Sequence, residues 1–195
     1  MTSYIVNVAS AKLPLAFTFI LTFFLASHMA AGESKDKTAR EQTSFCEEGA
    51  PDDLALKLVP LPKVVLTSVM NTKEGREARE DARKKGRELD PEKILMGAKV
   101  HLTDSPEVFF FVMGSYPMSG ADNTWFWIVR QSGKSATILL WAGGNCLDVE
   151  STRTLGYRDI VTTWSSASTT ETNTYRYNGK SYKLRRRKSG PATWK

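Results

Sequence analysis

The chain has 195 residues, 41% of them hydrophobic and 25% charged, and its 27 basic and 21 acidic side chains give a formal charge of +6. Two histidines and two cysteines exclude a His-rich zinc centre. No P-loop, GxGxxG, GxSxG, HExxH or CxxC motif occurs, so the chemistries those motifs carry are not expected here.

Residues 1–14 hold one basic side chain, Lys12; an uncharged apolar run from Leu15 to Ala26 follows, then MAAG at Met29–Gly32 and the charged Glu33. That order predicts a secretory signal peptide over residues 1–32. The competing reading is an uncleaved anchor from Leu13 to Ala31, weakened at its end by Ser27 and His28, because a span takes about 20 predominantly apolar residues. Export, whether periplasmic or extracellular, would place Cys46 and Cys146 where thiols oxidise, and predicts a disulfide between them. Two free buried thiols are the alternative. Without residues 1–32 the charge falls to +5, and Lys180–Lys195 supplies seven basic residues and no acid. The basicity is a property of the C-terminal end.

Residues 33–53 are polar and without periodicity, a flexible lead-in. Residues 54–97 are read as extended segments followed by a charged helix or linker. Pro60 and Pro62 cut the apolar run Leu54–Met70, which predicts short strands or extended edge segments. From Asn71 to Asp90 there is hardly an apolar side chain, but Glu80 and Lys84, and Asp81 and Lys85, stand four apart as helix pairs do. Gly75 and Gly86 work against that helix. Acids and bases alternate too evenly for a basic stripe. Asp90, Pro91 and Glu92 give a helix start, with its end expected near Gly97.

Residues 98–184 read as an antiparallel β domain. Runs at Glu107–Gly114, Thr124–Arg130, Ser135–Ala142, Asp159–Trp164, Thr172–Asn178 and Ser181–Arg185 are β-branched or aromatic and are separated by turn residues. The fold class is α+β, mostly β: a C-terminal antiparallel meander, sandwich or small open barrel, preceded by a charged helical segment. Tight hairpins are expected at the Gln131–Lys134 turn and at Asn178-Gly179, the latter as a two-residue type I′ turn.

In the run TWFWIVR, Trp125, Trp127 and Val129 share one face, and Phe126, Ile128 and Arg130 the other. The alternation Ala136, Ile138, Leu140 against Thr137, Leu139, Trp141 continues in the next strand. Neither strand has a polar face, so both faces should be covered, and most of these aromatics read as core. Trp125 and Trp127, two indoles on one face, are the candidates for a binding surface. His101 and Asp104 stand close in sequence, but a structural histidine in a strand explains them. Asp122 and Asn123 read as a turn rather than a calcium site. No residue emerges as catalytic, no metal or cofactor is implied, and carboxylates that could act on a glycan are not identifiable from sequence. Residues 185–195 form a basic tail; Arg185, Arg186, Arg187 and Lys188 could be a solvated terminus or could meet anionic groups.

The elements Gly156-Tyr157-Arg158-Asp159-Ile160 and Tyr175-Arg176-Tyr177-Asn178-Gly179-Lys180-Ser181-Tyr182 resemble those of uncharacterised secreted bacterial β-domain proteins. These carry a G-Y-x-D-[IL] element and a Y-x-[YF]-[ND]-G-x-x-Y hairpin. The similarity spans about Ala98 to Lys183. More distantly the same elements are similar to small periplasmic lysozyme inhibitors. The function expected is that of an exported, non-catalytic envelope protein binding a macromolecular partner, inhibitor-like in one version. That partner would be an envelope protein, a cell-wall polymer or an anionic membrane surface; nucleic acid is not expected. An envelope glycan hydrolase and a structural or stress protein without ligand are the alternatives.

Overall fold

A computed structural model describes residues 43–46, 58–119 and 124–192. The signal peptide expected at 1–32, most of the expected lead-in and the turn expected at Asp122/Asn123 fall outside the described residues. Twelve elements are described. The strands are β1 (Ser44–Cys46), β2 (Leu95–Val100), β3 (Val108–Gly114), β4 (Thr124–Ser132), β5 (Ser135–Gly144), β6 (Cys146–Thr154), β7 (Tyr157–Ser165), β8 (Thr169–Tyr177) and β9 (Tyr182–Pro191). The helices are α1 (Lys63–Met70), α2 (Lys73–Lys84) and α3 (Pro91–Ile94). The strands make two open antiparallel sheets, β2-β3-β4-β5 and β1-β6-β7-β8-β9. The class is α+β, mostly β, as the residue pattern predicts.

Three layers result. Phe109, Phe111, Phe126 and Ile128 of the four-stranded sheet pack with Phe45, Leu147, Val149 and Ile160 of the five-stranded one. Phe110, Val112, Trp127 and Val129, on the other face, pack with Val65, Leu66, Val69 and Met70 of α1. The four-stranded sheet is therefore the middle layer. This is why β3 and β4 carry no polar face: each side is covered, one by a sheet and one by helices.

The helical layer corrects one expectation. Residues 63–70 are not strand but helix. Val64, Val65 and Val69 favour strands by propensity, yet Val65, Leu66, Val69 and Met70 are the buried positions, a spacing that lays one helix face on the sheet. Burial decides against propensity. The Pro62 carbonyl accepts from the backbone of Val65 (2.8 Å) and Leu66 (3.1 Å), starting the helix directly after the second proline. The charged helix is present as α2, capped by Thr72, whose oxygen accepts from the Gly75 amide. Both anticipated pairs form, Lys84–Glu80 at 3.0 Å and Lys85–Asp81 at 2.7 Å. Gly75 does not oppose this helix. A Cβ there would lie 2.6 Å from Met70 Cα, so glycine is what lets α1 and α2 touch. The Asp90-capped helix stops at Ile94, short of Gly97, because Leu95 already begins β2. Gly97 faces the Phe111 carbonyl and Leu61 in a gap too small for any side chain.

Turn chemistry differs from expectation in two places. Gly133 and Lys134 do close the β4–β5 hairpin between paired Ser132 and Ser135. The β8–β9 connection, however, is not a two-residue turn. Tyr177 pairs with Tyr182, leaving four residues between, and the Asn178 side chain accepts from the amides of Lys180 and Ser181. A two-residue loop with both φ positive occurs instead at Leu155 (φ 52°) and Gly156 (φ 81°), between paired Thr154 and Tyr157. The last correction concerns the C-terminal end. Residues 185–191 continue strand β9 rather than leaving the sheet as a tail. Cys46 and Cys146 are register partners of β1 and β6 and are joined by a disulfide.

Candidate functional site

The two indoles singled out in β4 have separate fates. Trp127 is 0% exposed and belongs to the helix-side core with Val65, Val69 and Met118. It is core, and so drops out of any binding surface. Trp125, half-buried, stacks instead on Trp141, with centroids 5.0 Å apart and planes at 25°. Simple alternation puts Trp141 on the opposite face. A bulge reverses it: Ile128 pairs with Leu140 but Val129 with Ile138. Leu139 is the extra residue, and both leucines enter the sheet–sheet core. Beyond the bulge the phase is shifted by one, and Trp141 joins the helix-side face. Gly143, the register partner of Trp125, leaves the room over which that ring lies, since a Cβ there would approach it to 3.0 Å.

Trp141 is 46% exposed. With Trp125 and Pro117 it forms one wall of a groove of about 390 Å³, and Glu74, Glu77 and Asp81 of α2 form the other. Two of these acids already have partners, Lys73 for Glu77 at 3.8 Å and Lys85 for Asp81. The groove is an amphipathic cleft with most of its charge neutralised.

The other candidate surface is β9. Among the described residues it is an edge strand, bonded only to β8, and Lys183 to Pro191 are all exposed. Thr174 pairs with Arg186 and Tyr175 with Leu184, so Arg185 is the extra residue of a second bulge. Leu184 and Arg187 pair with Tyr175 and Asn173 on the core-side face; Arg186 and Lys188 pair with Thr174 and Thr172 on the outer face. Arg187 is held, its Nε donating to Asn173 Oδ1 at 3.1 Å and lying 3.4 Å from Glu171 Oε1. Arg185, Arg186 and Lys188 have no ion-pair partner among the described residues. The outer face beside them is built of Val161, Thr163, Thr172 and Thr174, with the disulfide farther along the same row. It is a surface of small side chains bordered by cations.

The residues of the two sequence elements Gly156–Ile160 and Tyr175–Tyr182 turn out to be framework. Asp159, 2% exposed, accepts from Thr152 Oγ1 (3.1 Å) and Thr154 Oγ1 (2.7 Å) and pairs with Arg176 Nε at 3.3 Å. It ties β6, β7 and β8 together. Tyr157 stacks on Tyr177 at 3.8 Å and sets its edge against Phe109. Its hydroxyl donates to Glu107, which also meets Arg130. Burial, seconded by that hydrogen bond, holds the Tyr157 phenol above its usual range. The Tyr182 hydroxyl donates to the Arg158 carbonyl at 2.7 Å, and burial, reinforced by Asp159, pushes its pKa up further. His101 is exposed just beyond β2, while Asp104 makes a two-point contact with Arg153, so these two do not form a pair. Among the described residues no cluster of His, Cys, Asp or Glu could hold a metal ion, and no helix is long and apolar enough to cross a membrane. No family model matches the sequence, and no curated protein or solved structure matches it either.

Proposed function

We propose that this chain is an exported, non-catalytic binding module that holds an anionic macromolecular partner of the envelope on strand β9. The observation that carries this reading is the concentration of Lys183, Arg185, Arg186, Arg187 and Lys188 on one exposed edge strand, four of them without an ion-pair partner among the described residues. Guanidinium groups suit phosphate and carboxylate. A cation close to an anionic surface contributes about 1 kcal/mol, an effect that fades beyond a Debye length of about 8 Å at physiological salt. The leader-like start at residues 1–32 and the disulfide both support export.

The test is equilibrium binding of the disulfide-bonded chain to three anionic probes: polyglutamate, inorganic polyphosphate and vesicles containing an anionic phospholipid. The triple variant Arg185→Glu/Arg186→Glu/Lys188→Glu should weaken binding to the preferred probe about tenfold or more. Arg187 is left alone because it is part of the framework. Affinity should also fall steeply as salt rises. An unchanged affinity in the triple variant, or no binding by the parent chain to any of the three, overturns the reading.

A further inference from the structure

We propose that the partner enters as an added strand: an extended acidic peptide segment that pairs with the free edge of β9 from Arg186 to Gly190. This rests on the reading of β9 as the contact element and names the class of partner. The backbone supplies the first argument. Past the bulge at Arg185, β9 pairs residue for residue with β8 from Arg186↔Thr174 to Gly190↔Thr170. The ladder there is regular, and among the described residues only one of its two edges is used. Every second N–H and C=O along the other edge faces outward, and a buried or paired state for such groups requires a strand beside them.

Charge placement supplies the second. Arg186 and Lys188 stand on the outer face of the sheet and Arg187 on the core-side face. Arg187 is already taken by Asn173 and Glu171, so the cations left for a partner are Arg186 and Lys188, two residues apart on one face. Acids at alternate positions of an added strand would stand opposite these two, at the cross-strand spacing of about 4.5–5.5 Å. Like charges opposite one another are destabilising, so a second copy of β9 is rejected at this edge. The same cations that keep the edge from pairing with itself select an acidic occupant.

The probe is the peptide Thr-Val-Glu-Glu-Glu-Val-Thr with blocked ends, titrated into the disulfide-bonded chain with amide hydrogen exchange of β9 as the structural readout. Two further peptides carry N-methyl groups at alternate residues, one in each register. The expected result is slowed exchange at alternate amides within Arg186–Gly190, and at least tenfold weaker binding for one methylated register but not the other. Arg186→Glu/Lys188→Glu should weaken the unmethylated peptide by a similar factor. Equal affinity for all three peptides, or protection mapped away from β9, overturns strand addition. Binding to polyphosphate or anionic vesicles with none to the peptide also overturns it, and leaves the electrostatic reading standing. Failure of every anionic probe sinks both.

Discussion

Leu155 shows how much a single residue can hold back stability. Its φ of 52° is the left-handed region, which costs a residue with a Cβ about 1–2 kcal/mol, and its side chain is 69% exposed, so little packing offsets that cost. Leu155→Asn, which keeps the turn and tolerates the backbone, should stabilise the fold by about 1 kcal/mol, seen as a rise in Tm of about 2–4 °C. A fall would mean that the leucine is making contacts. Tyr182 governs a pH effect. Its phenol stays protonated well above the ordinary value near 10 in the folded chain because burial disfavours the phenolate. The unfolded chain therefore releases that proton first. Stability is full below about pH 10 and declines as pH rises beyond it, by up to about 1.4 kcal/mol per pH unit for each such tyrosine; Tyr157 acts in the same direction. Urea midpoints measured from pH 7 to 11 should show this decline, and Tyr182→Phe should flatten it while costing about 1 kcal/mol at neutral pH through the lost bond to Arg158. An unchanged alkaline slope in the variant would locate the effect elsewhere.

At the level of elements, the α1–α2 hairpin makes the sharpest claim. Alanine is a better helix former than glycine by about 1 kcal/mol, so Gly75→Ala would stabilise α2 if the helix stood alone. Here the added methyl meets backbone, Met70 Cα at 2.6 Å and the Val69 carbonyl at 2.7 Å, and neither can rotate away. The expected outcome is a net loss of about 1–3 kcal/mol in chemical denaturation. A gain would show that the two helices separate easily. The same hairpin shows where sequence reading succeeds and fails. The i,i+4 charge pairs of α2 are a local signal and are found where expected. Helix α1 is misread because Pro60 and Pro62 argue for extended edge segments, and only the sheet face waiting for Val65, Leu66, Val69 and Met70 argues for a helix. Trp141 is misplaced for a related reason: the extra residue at Leu139 leaves no local trace in composition, yet it inverts every later position of the strand. Asn178-Gly179 carries the preferred type I′ pair, but only Gly179 takes positive φ, because the asparagine oxygen is satisfied by amides two and three residues on.

Across the described molecule, the fold class and the double covering of β3 and β4 are legible, and the order of the layers and the site are not. Apolar runs without a polar face announce a sheet covered on both sides, and a four-stranded sheet between helices and a second sheet is what they become. Which aromatic remains on the surface depends on a bulge, and whether a basic stretch is tail or strand depends on Thr169–Tyr177 being there to pair with it. The covalent link belongs at this scale. β1 is three residues long, and its Phe45 stacks on Phe111 at 4.4 Å inside the sheet–sheet core. Cys46→Ser/Cys146→Ser should cost about 2–5 kcal/mol, the range for a native bridge closing a long loop, and reductant should destabilise the parent chain by a similar amount while leaving the variant unchanged. Equal denaturation midpoints for the parent and the variant under oxidising conditions would show that β1 contributes little.

That bridge also decides how the molecule carries load. Cys46 and Cys146 close a covalent ring that holds all three helices and strands β2–β5, whereas β7–β9 lie outside it. Tension applied between a point before β1 and a point after β9 would run through Phe45, across the Sγ–Sγ bond and directly into β6. The covalent path would bypass the helical layer and the middle sheet. Pulled in this way the oxidised chain should lengthen by roughly 340 Å less than the reduced one, the contour of the hundred residues the ring conceals. A surface such as β9 could then be tugged by what it holds, and only the outer sheet would have to resist.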